Sequence, residues 1–299
     1  MEEKDATINS ENAKMQTKSK LVDFVALTKP RLNIFVVLSA VLCYLMAAKQ
    51  INAESIAWLV LGGYLITGAS NGFNMIIEKD IDKLMNRTCN RPLPSGRLTI
   101  NEAFIFSSIL ALAGIFILTY FINLKSGLLG TLALVLYVAA YTPLKTRTPF
   151  AVFVGAFPGA IPPMLGWVAA TDAFDIGAII VFALQFMWQF PHFWAIAWRL
   201  DDDYKKAGLL MLPSNQRDKA SAFQILIYTL MILPVSLTPY AFNLAGPISA
   251  VIIGICSVLF FIQALKLYRT LSLKAASELM FGSFIYLPVV QLSLIIDKV

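Results

Sequence analysis

The sequence predicts an all-α fold, a polytopic bundle of nine membrane-spanning helices. Three observations carry this reading. The chain is 58% hydrophobic and only 14% charged, where a soluble domain runs about 45–50% apolar and about 25% charged. Its apolar residues are gathered into segments long enough for a hydrocarbon core ~30 Å thick, which takes ~20 helical residues to cross. Its basic residues fall almost entirely between alternate segments. No segment shows the alternation of a barrel strand, so helices are the structure that satisfies the backbone within lipid.

The chain opens on a polar tail, residues 1–20, mixing acidic and basic side chains. It lacks the apolar core of a signal peptide and the Arg-rich, acid-poor character of a transit peptide. A disordered cytoplasmic tail is expected there, with the membrane domain covering 21–299. The first span is expected at 31–48 and the second at 55–77, running into a charged connection. Spans at 102–122 and 126–142 follow, joined by a short turn. The fifth, 150–170, contains GAFPGAIPPMLG with Pro158, Pro162 and Pro163; the sixth, 174–198, contains Pro191. An interior proline removes one helical hydrogen bond. A simple kink accommodates that, and so does the wall of a wet cavity. A second charged connection, 199–219, precedes the last spans at 220–240, 243–265 and 277–297.

The basic residues test the count. With the N-terminus in the cytoplasm, only Lys49, Lys125 and Lys298 of the 24 Lys and Arg fall on the outer side. That is the positive-inside pattern, and losing one span would scramble it. The C-terminus then lies outside. The net charge of +6 follows from this anchoring and gives no reason to expect nucleic acid as a partner; the lipid bilayer is the partner composition demands. Cys43, Cys89 and Cys256 match no metal-binding spacing.

One stretch breaks the apolar pattern: NMIIEKDIDKLMNRTCNRPLPSGR, residues 74–97. Asn74, Glu78 and Asp82 recur every four residues, a drift of only ~40° per step on a helix, so they form one ledge. Two carboxylates a turn apart repel unless a cation lies between them, and oxygen ligands suit Mg²⁺. Arg87, Arg91 and Arg97 follow in a segment stiffened by two prolines and a glycine, and Arg forks match phosphate oxygens. Acids for a hard cation beside bases for phosphate describe a diphosphate site. In a membrane, that suggests an isoprenoid diphosphate with its head at the cytoplasmic face. Two further patches lie on the same side. YTPLKTRTP carries Lys145 and Arg147, which either anchor topology or touch phosphate. WQFPHFWAIAWRLDDDYKKAG carries His192, the single histidine, then Arg199 and Asp203 on about the same face. His192 is open between a structural role and a site role as base, iron ligand or hydrogen-bonding partner of substrate.

The stretches N-M-I-I-E-K-D-I-D and M-N-R-T-C-N-R-P-L-P-S-G-R resemble the first motif of the UbiA superfamily of membrane prenyltransferases, in the form of its heme-farnesylating branch. ALTKPRLNIFVV, YTPLKTRTPFAVFVGAFPGAIPPMLGW and WQFPHFWAIAWRLDDDYKKAGLLMLP resemble the same branch. Relatives acting on quinone precursors usually have Asp where Glu78 stands and an Asp-rich motif where this chain has His192 and Arg199. The resemblance implies a UbiA-type fold and an Mg²⁺-dependent reaction at the cytoplasmic face of a bacterial inner membrane. Farnesyl diphosphate and heme B would give heme O, with addition of water. Heme A synthase or a terminal oxidase is the implied receiver. Carried over by position, Asn74, Glu78 and Asp82 match the family's first metal and diphosphate motif and Asp203 the retained acid of its second, so Glu78, Asp82 and Asp203 would be metal ligands and Asn74 a catalytic partner; Lys145, Arg91 and Arg97 match its basic residues, and His192 stays a catalytic candidate of open role. Arg87, Arg91, Arg97, Lys145 and Arg147 would bind diphosphate. An aromatic quinone precursor or a chlorin is the alternative acceptor. A polyanion transporter is a competing class, but transporters keep ionisable residues near the midplane, and here they gather at helix ends.

Overall fold

The computed structural model describes residues 20–299, so the expected tail lies almost wholly outside the described residues. Nine helices are long and apolar enough to cross a membrane: α1 Pro30–Ala47, α2 Ala53–Ile77, α3 Ile100–Ile122, α4 Leu124–Leu144, α5 Ala151–Thr171, α6 Ile176–Lys206, α7 Lys219–Ala241, α8 Pro247–Thr270 and α9 Leu273–Ile296. Among the described residues there is no strand. The protein is a multi-pass membrane protein, with the spans where the apolar segments were expected.

The helices start and stop for local reasons. Asn52 caps α2 by accepting from the Glu54 and Ser55 amides, Thr99 and Glu102 form a capping box on α3, and Asp175 caps α6 through Ala178. Each side chain satisfies an amide the helix cannot pair internally. α6 runs eight residues past its expected end at 198. Lys205 pairs with Asp201 one turn back at 2.7 Å, and cations suit a helix C-terminus. Gly208, at φ +66°, then lets the chain turn in a conformation that other residues resist.

Burial sorts the helices. About two-thirds of the apolar windows of α5 and α6 are buried, 67% and 61%, against 22–33% for α3, α4, α7 and α8. The former pair therefore form the centre, and the latter present Phe104, Ile105, Leu112, Leu128, Val251 and Ile255 outward as lipid-facing surface. α1 packs on α5, α5 on α6, α6 on α9 and α9 on α1. Pro158, Pro162, Pro163 and Pro191 lie inside continuous helices. Pro158, Pro163 and Pro191 are buried, where protein rather than lipid surrounds the weakened turn.

The α1–α5 contact depends on one missing side chain. A Cβ on Gly166 would overlap the Ala40 carbonyl of α1, which is backbone and cannot swing aside. Gly166→Ala is expected to destabilise the bundle by about 1–3 kcal/mol, the usual cost of overpacking. A lowered thermal midpoint in detergent checks this; an unchanged midpoint would mean the two helices separate freely.

Candidate active site

The charged end of the bundle is built on α2. The helix gives way at Glu78, whose backbone (φ −89°, ψ 7°) sits between α2 and a short turn, Lys79–Asp82. Helical spacing survives the junction, because the Glu78 amide donates to the Asn74 carbonyl at 2.9 Å and the Asp82 amide to the Glu78 carbonyl at 2.7 Å. Asn74, Glu78 and Asp82 therefore stay on one ledge, and all three are buried. Buried carboxylates need partners, and these come from elsewhere in the chain. Lys145 Nζ, just past the end of α4, lies 2.9 Å from Glu78 Oε1. Arg91 Nη1 donates to Asp82 Oδ2 at 2.7 Å. Lys29 Nζ donates to Asn74 Oδ1 at 3.2 Å, and Asn74 Nδ2 donates to Thr142 Oγ1 at 3.2 Å.

Sequence reasoning left Lys29 out of the site and counted it only as a topological anchor. Its backbone is left-handed, φ 47° and ψ 65°, a strained state for a residue with a side chain. Such strain costs on the order of 1–3 kcal/mol and gathers at functional sites. Burial pushes the Lys29 ammonium down to about 7, with the charges of Arg91 and Lys145 adding to the depression. Lys29, Arg91 and Lys145 thus gather around two carboxylates, and a bound polyanion would favour the charged form of Lys29. No local signal marks this role, since the restriction before proline favours extended backbone rather than the left-handed state found here. Lys145 also lies 4.5 Å from the centroid of the Tyr141 ring, a cation–π contact. Tyr141 closes a π-helical stretch, Leu136–Tyr141, a distortion frequent at functional sites.

The connection after Asp82 folds back over this ledge. Met85, Leu93 and Leu98 are buried anchors, and Thr88 Oγ1 donates to the Asp82 carbonyl at 2.7 Å. Arg97 turns to the other side of the loop. Its Nε donates to both oxygens of buried Asp23 at 2.9 and 3.0 Å, and its remaining donors serve Ser95 and the Asn90 carbonyl. Arg147 is exposed and forms no ion pair among the described residues. From α6, Asp203 accepts from the Asn86 and Arg87 amides at 3.5 and 3.4 Å and pairs with Lys206 at 3.4 Å. The structure thus brings the Arg87 backbone, rather than its side chain, to Asp203. Asp201 and Asp202 are held by Lys205 and Arg217 and tie the 6–7 connection down. His192 lies deep in α6, bonded to Ser283 of α9.

The residues fit a magnesium ion of a particular kind. Asp82 Oδ1 is sealed in the interior with no hydrogen-bond partner, beside Glu78 on the same ledge. Among the described residues no three acids, histidines or cysteines close on one point. Mg²⁺ needs no such cage, since it takes one or two carboxylates and completes its shell with water and phosphate oxygens.

A buried cluster of paired acids and bases at one end of lipid-facing helices fits a class: integral membrane enzymes acting on an anionic, membrane-dissolved substrate. The model of the "UbiA prenyltransferase family" matches residues 36–287. A protein of Flavobacterium psychrophilum named protoheme IX farnesyltransferase is 48% identical over 289 residues, covering 94% of this chain and 96% of that one. A solved structure concerning digeranylgeranylglyceryl phosphate synthase superposes with a TM-score of 0.78 at 21% identity, covering 93% of this chain and 98% of that one. A UbiA homologue of Archaeoglobus fulgidus, solved with DMAPP and Mg²⁺, superposes with a TM-score of 0.70 at 14% identity, covering 91% and 99%. The chain belongs to the UbiA prenyltransferase family, and it is a membrane prenyltransferase.

Proposed function

We propose that the chain transfers the farnesyl group of farnesyl diphosphate to a vinyl group of heme B. Water addition completes heme O, destined for terminal oxidases, directly or through a heme A synthase. The observation that carries this reading is the 48% identity, over nearly the whole of both chains, to a relative named for that reaction. The charged ledge on α2 supports it chemically. Glu78 and Asp82 would hold Mg²⁺ with the diphosphate, beside Asn74 on the same ledge; Asp203, expected as a third ligand, accepts from the Asn86 and Arg87 amides of the loop instead and would act by placing that loop. Bound there, the ion would withdraw charge from the leaving diphosphate.

Lys29, Arg91 and Lys145 match the negative charge that grows on the diphosphate as its bond to farnesyl C1 breaks, which lowers the barrier electrostatically. Arg87, Arg97 and Arg147 are proposed to act at longer range on the same charge, Arg97 also through its hold on the loop. The allylic cation is attacked by the vinyl carbon, and the new cation beside the porphyrin takes up water and loses a proton. Water must arrive late, because early capture yields only farnesol; the buried ledge serves that end. The protein is proposed to sit in the bacterial inner membrane, N-terminus cytoplasmic and C-terminus outside, with the diphosphate site on the cytoplasmic side.

The test is the purified protein in lipid with heme B and farnesyl diphosphate, read by mass of the extracted heme. The expected product is heme B plus farnesyl plus water, and chelation of Mg²⁺ is expected to abolish it. Unmodified heme together with prenylation of an aromatic quinone precursor would overturn the assignment in favour of that acceptor.

A further inference from the structure

The connection between α2 and α3 meets the charged ledge through Arg91. Other residues of the same connection wall a cavity that the diphosphate chemistry does not use. It measures about 410 Å³, within the range of small-molecule sites, about 300–1,000 Å³. Its walls come from both ends of the connection. Lys79 and Lys83 stand at the beginning, one turn apart. Leu93, Leu98 and the opening residues of α3, Ile100 and Asn101, stand at the end. Among the described residues no carboxylate lines it.

Three properties of the cavity point to its ligand. The first is unspent positive charge. Lys79 forms no ion pair among the described residues, and Lys83 pairs only with exposed Asp80, a solvated contact that contributes little. Glu102, in the first turn of α3, is already held by Lys20 at 2.6 Å and by Thr99. The second is a pair of free donors. Thr99 Oγ1 accepts from the Glu102 amide, and the Ile100 and Asn101 amides ahead of it have no partner among the described residues. Amides at the start of a helix favour a phosphate. The third is the surface next to the cavity. Ile77, Ile100 and Phe104 are exposed apolar side chains at the adjoining ends of α2 and α3, where Phe73 and Phe104 meet edge to face at 5.7 Å. A soluble phosphate makes no use of that surface, and an acyl chain does.

We propose that this cavity binds the headgroup of an anionic phospholipid. Its phosphate lies among Lys79, Lys83 and the first amides of α3, and its acyl chains run along Ile77, Ile100 and Phe104. The headgroup joins the two ends of the connection, so its binding favours the folded-back state that carries Arg91 to Asp82. A ligand that prefers one state shifts the population towards it, and such coupling is reciprocal. Anionic lipid is therefore expected to tighten prenyl diphosphate binding. The coupling rests on the diphosphate reading of the ledge; the lipid site does not.

The experiment uses the purified full chain in nanodiscs of phosphatidylcholine with increasing phosphatidylglycerol. Retained lipid is counted by native mass spectrometry, and farnesyl diphosphate affinity is measured by calorimetry in the same discs. Wild type is expected to retain phosphatidylglycerol selectively, and with it to bind farnesyl diphosphate about fivefold tighter or more. Lys79→Gln combined with Lys83→Gln is expected to lower phosphatidylglycerol affinity about thirtyfold, the effect of two interfacial lysines, and to remove the gain in diphosphate affinity. Arg269→Gln combined with Lys274→Gln, exposed cations of the 8–9 connection, should change neither. An unchanged thermal midpoint in phosphatidylcholine checks that both variants are folded. Wild-type lipid retention in the first variant would overturn the site, as would an equal loss in the second, which would reduce it to the attraction of any basic face. Displacement of the lipid by an equal concentration of glycerol phosphate would give the cavity to soluble phosphate esters instead. Lost lipid with an unchanged gain in diphosphate affinity would overturn the coupling. Should farnesyl diphosphate bind in no lipid at all, the diphosphate reading fails, and selective lipid retention still decides the site.

Discussion

Asp82→Asn is expected to cut prenyl transfer by about a hundred- to a thousandfold, the scale seen when a pre-set electrostatic group is removed. The side chain is almost fully buried, with one oxygen on Arg91 and the other bare. Asparagine keeps the shape but removes the charge, and it replaces one acceptor oxygen with a donor. Either Arg91 faces an NH₂, or the bare position offers a donor where a cation would sit. The fold should survive, because Arg91 is 19% exposed and can turn to water. Single-turnover rates on inserted protein measure the effect. Asp80→Asn is the control, since that side chain is 87% exposed and pairs only with Lys83 one turn on. Such pairs contribute little, so a change under about twofold is expected. Normal turnover in Asp82→Asn would remove the carboxylate from any role in holding the metal.

Lys145→Met is expected to reduce transfer by a similar factor and also to destabilise the protein. Its ammonium faces Glu78 at 2.9 Å with both side chains about nine-tenths buried. Deleting one partner of a buried pair strands the other, which costs about 3–5 kcal/mol. A second change separates stability from chemistry. Glu78→Gln added to Lys145→Met removes the stranded charge, so the thermal midpoint should recover while transfer stays lost. Should activity recover along with the midpoint, Lys145 is only the counterion of Glu78, has no part in neutralising the diphosphate, and Glu78 is not needed to hold the metal.

Much of the fold was legible because its signals are local. Nine apolar stretches of spanning length leave the backbone one way to satisfy itself in lipid, and alternate basic connections count the crossings. The ledge at Asn74, Glu78 and Asp82 was legible for the same reason, since three residues at a spacing of four share a face whatever surrounds them. Its survival through the break at Glu78 follows from two backbone hydrogen bonds. The extension of α6 to Lys206 was harder to read, because a charged helix end and a charged loop have the same composition.

The residues opposite the ledge were not legible. Arg87, Arg91 and Arg97 look equivalent in sequence, evenly spread through one stiff loop. In the fold Arg91 meets Asp82, Arg97 meets Asp23 from before α1, and Arg87 presents its amide to Asp203. Lys29 reads as an anchor until α1 and α2 lie side by side and bring it to Asn74. His192 reads as ambiguous until α9 brings Ser283 to its ring, 91 positions later.

The sequence by itself determined that nine helices cross a membrane and that one of them carries a row of carboxylates. Only the tertiary structure decided which cations meet that row, which arginine holds the loop instead, and that His192 of α6 meets Ser283 of α9. The physical reason is that periodicity is written within each helix. The partner of a buried charge is chosen by how helices remote in the chain pack together.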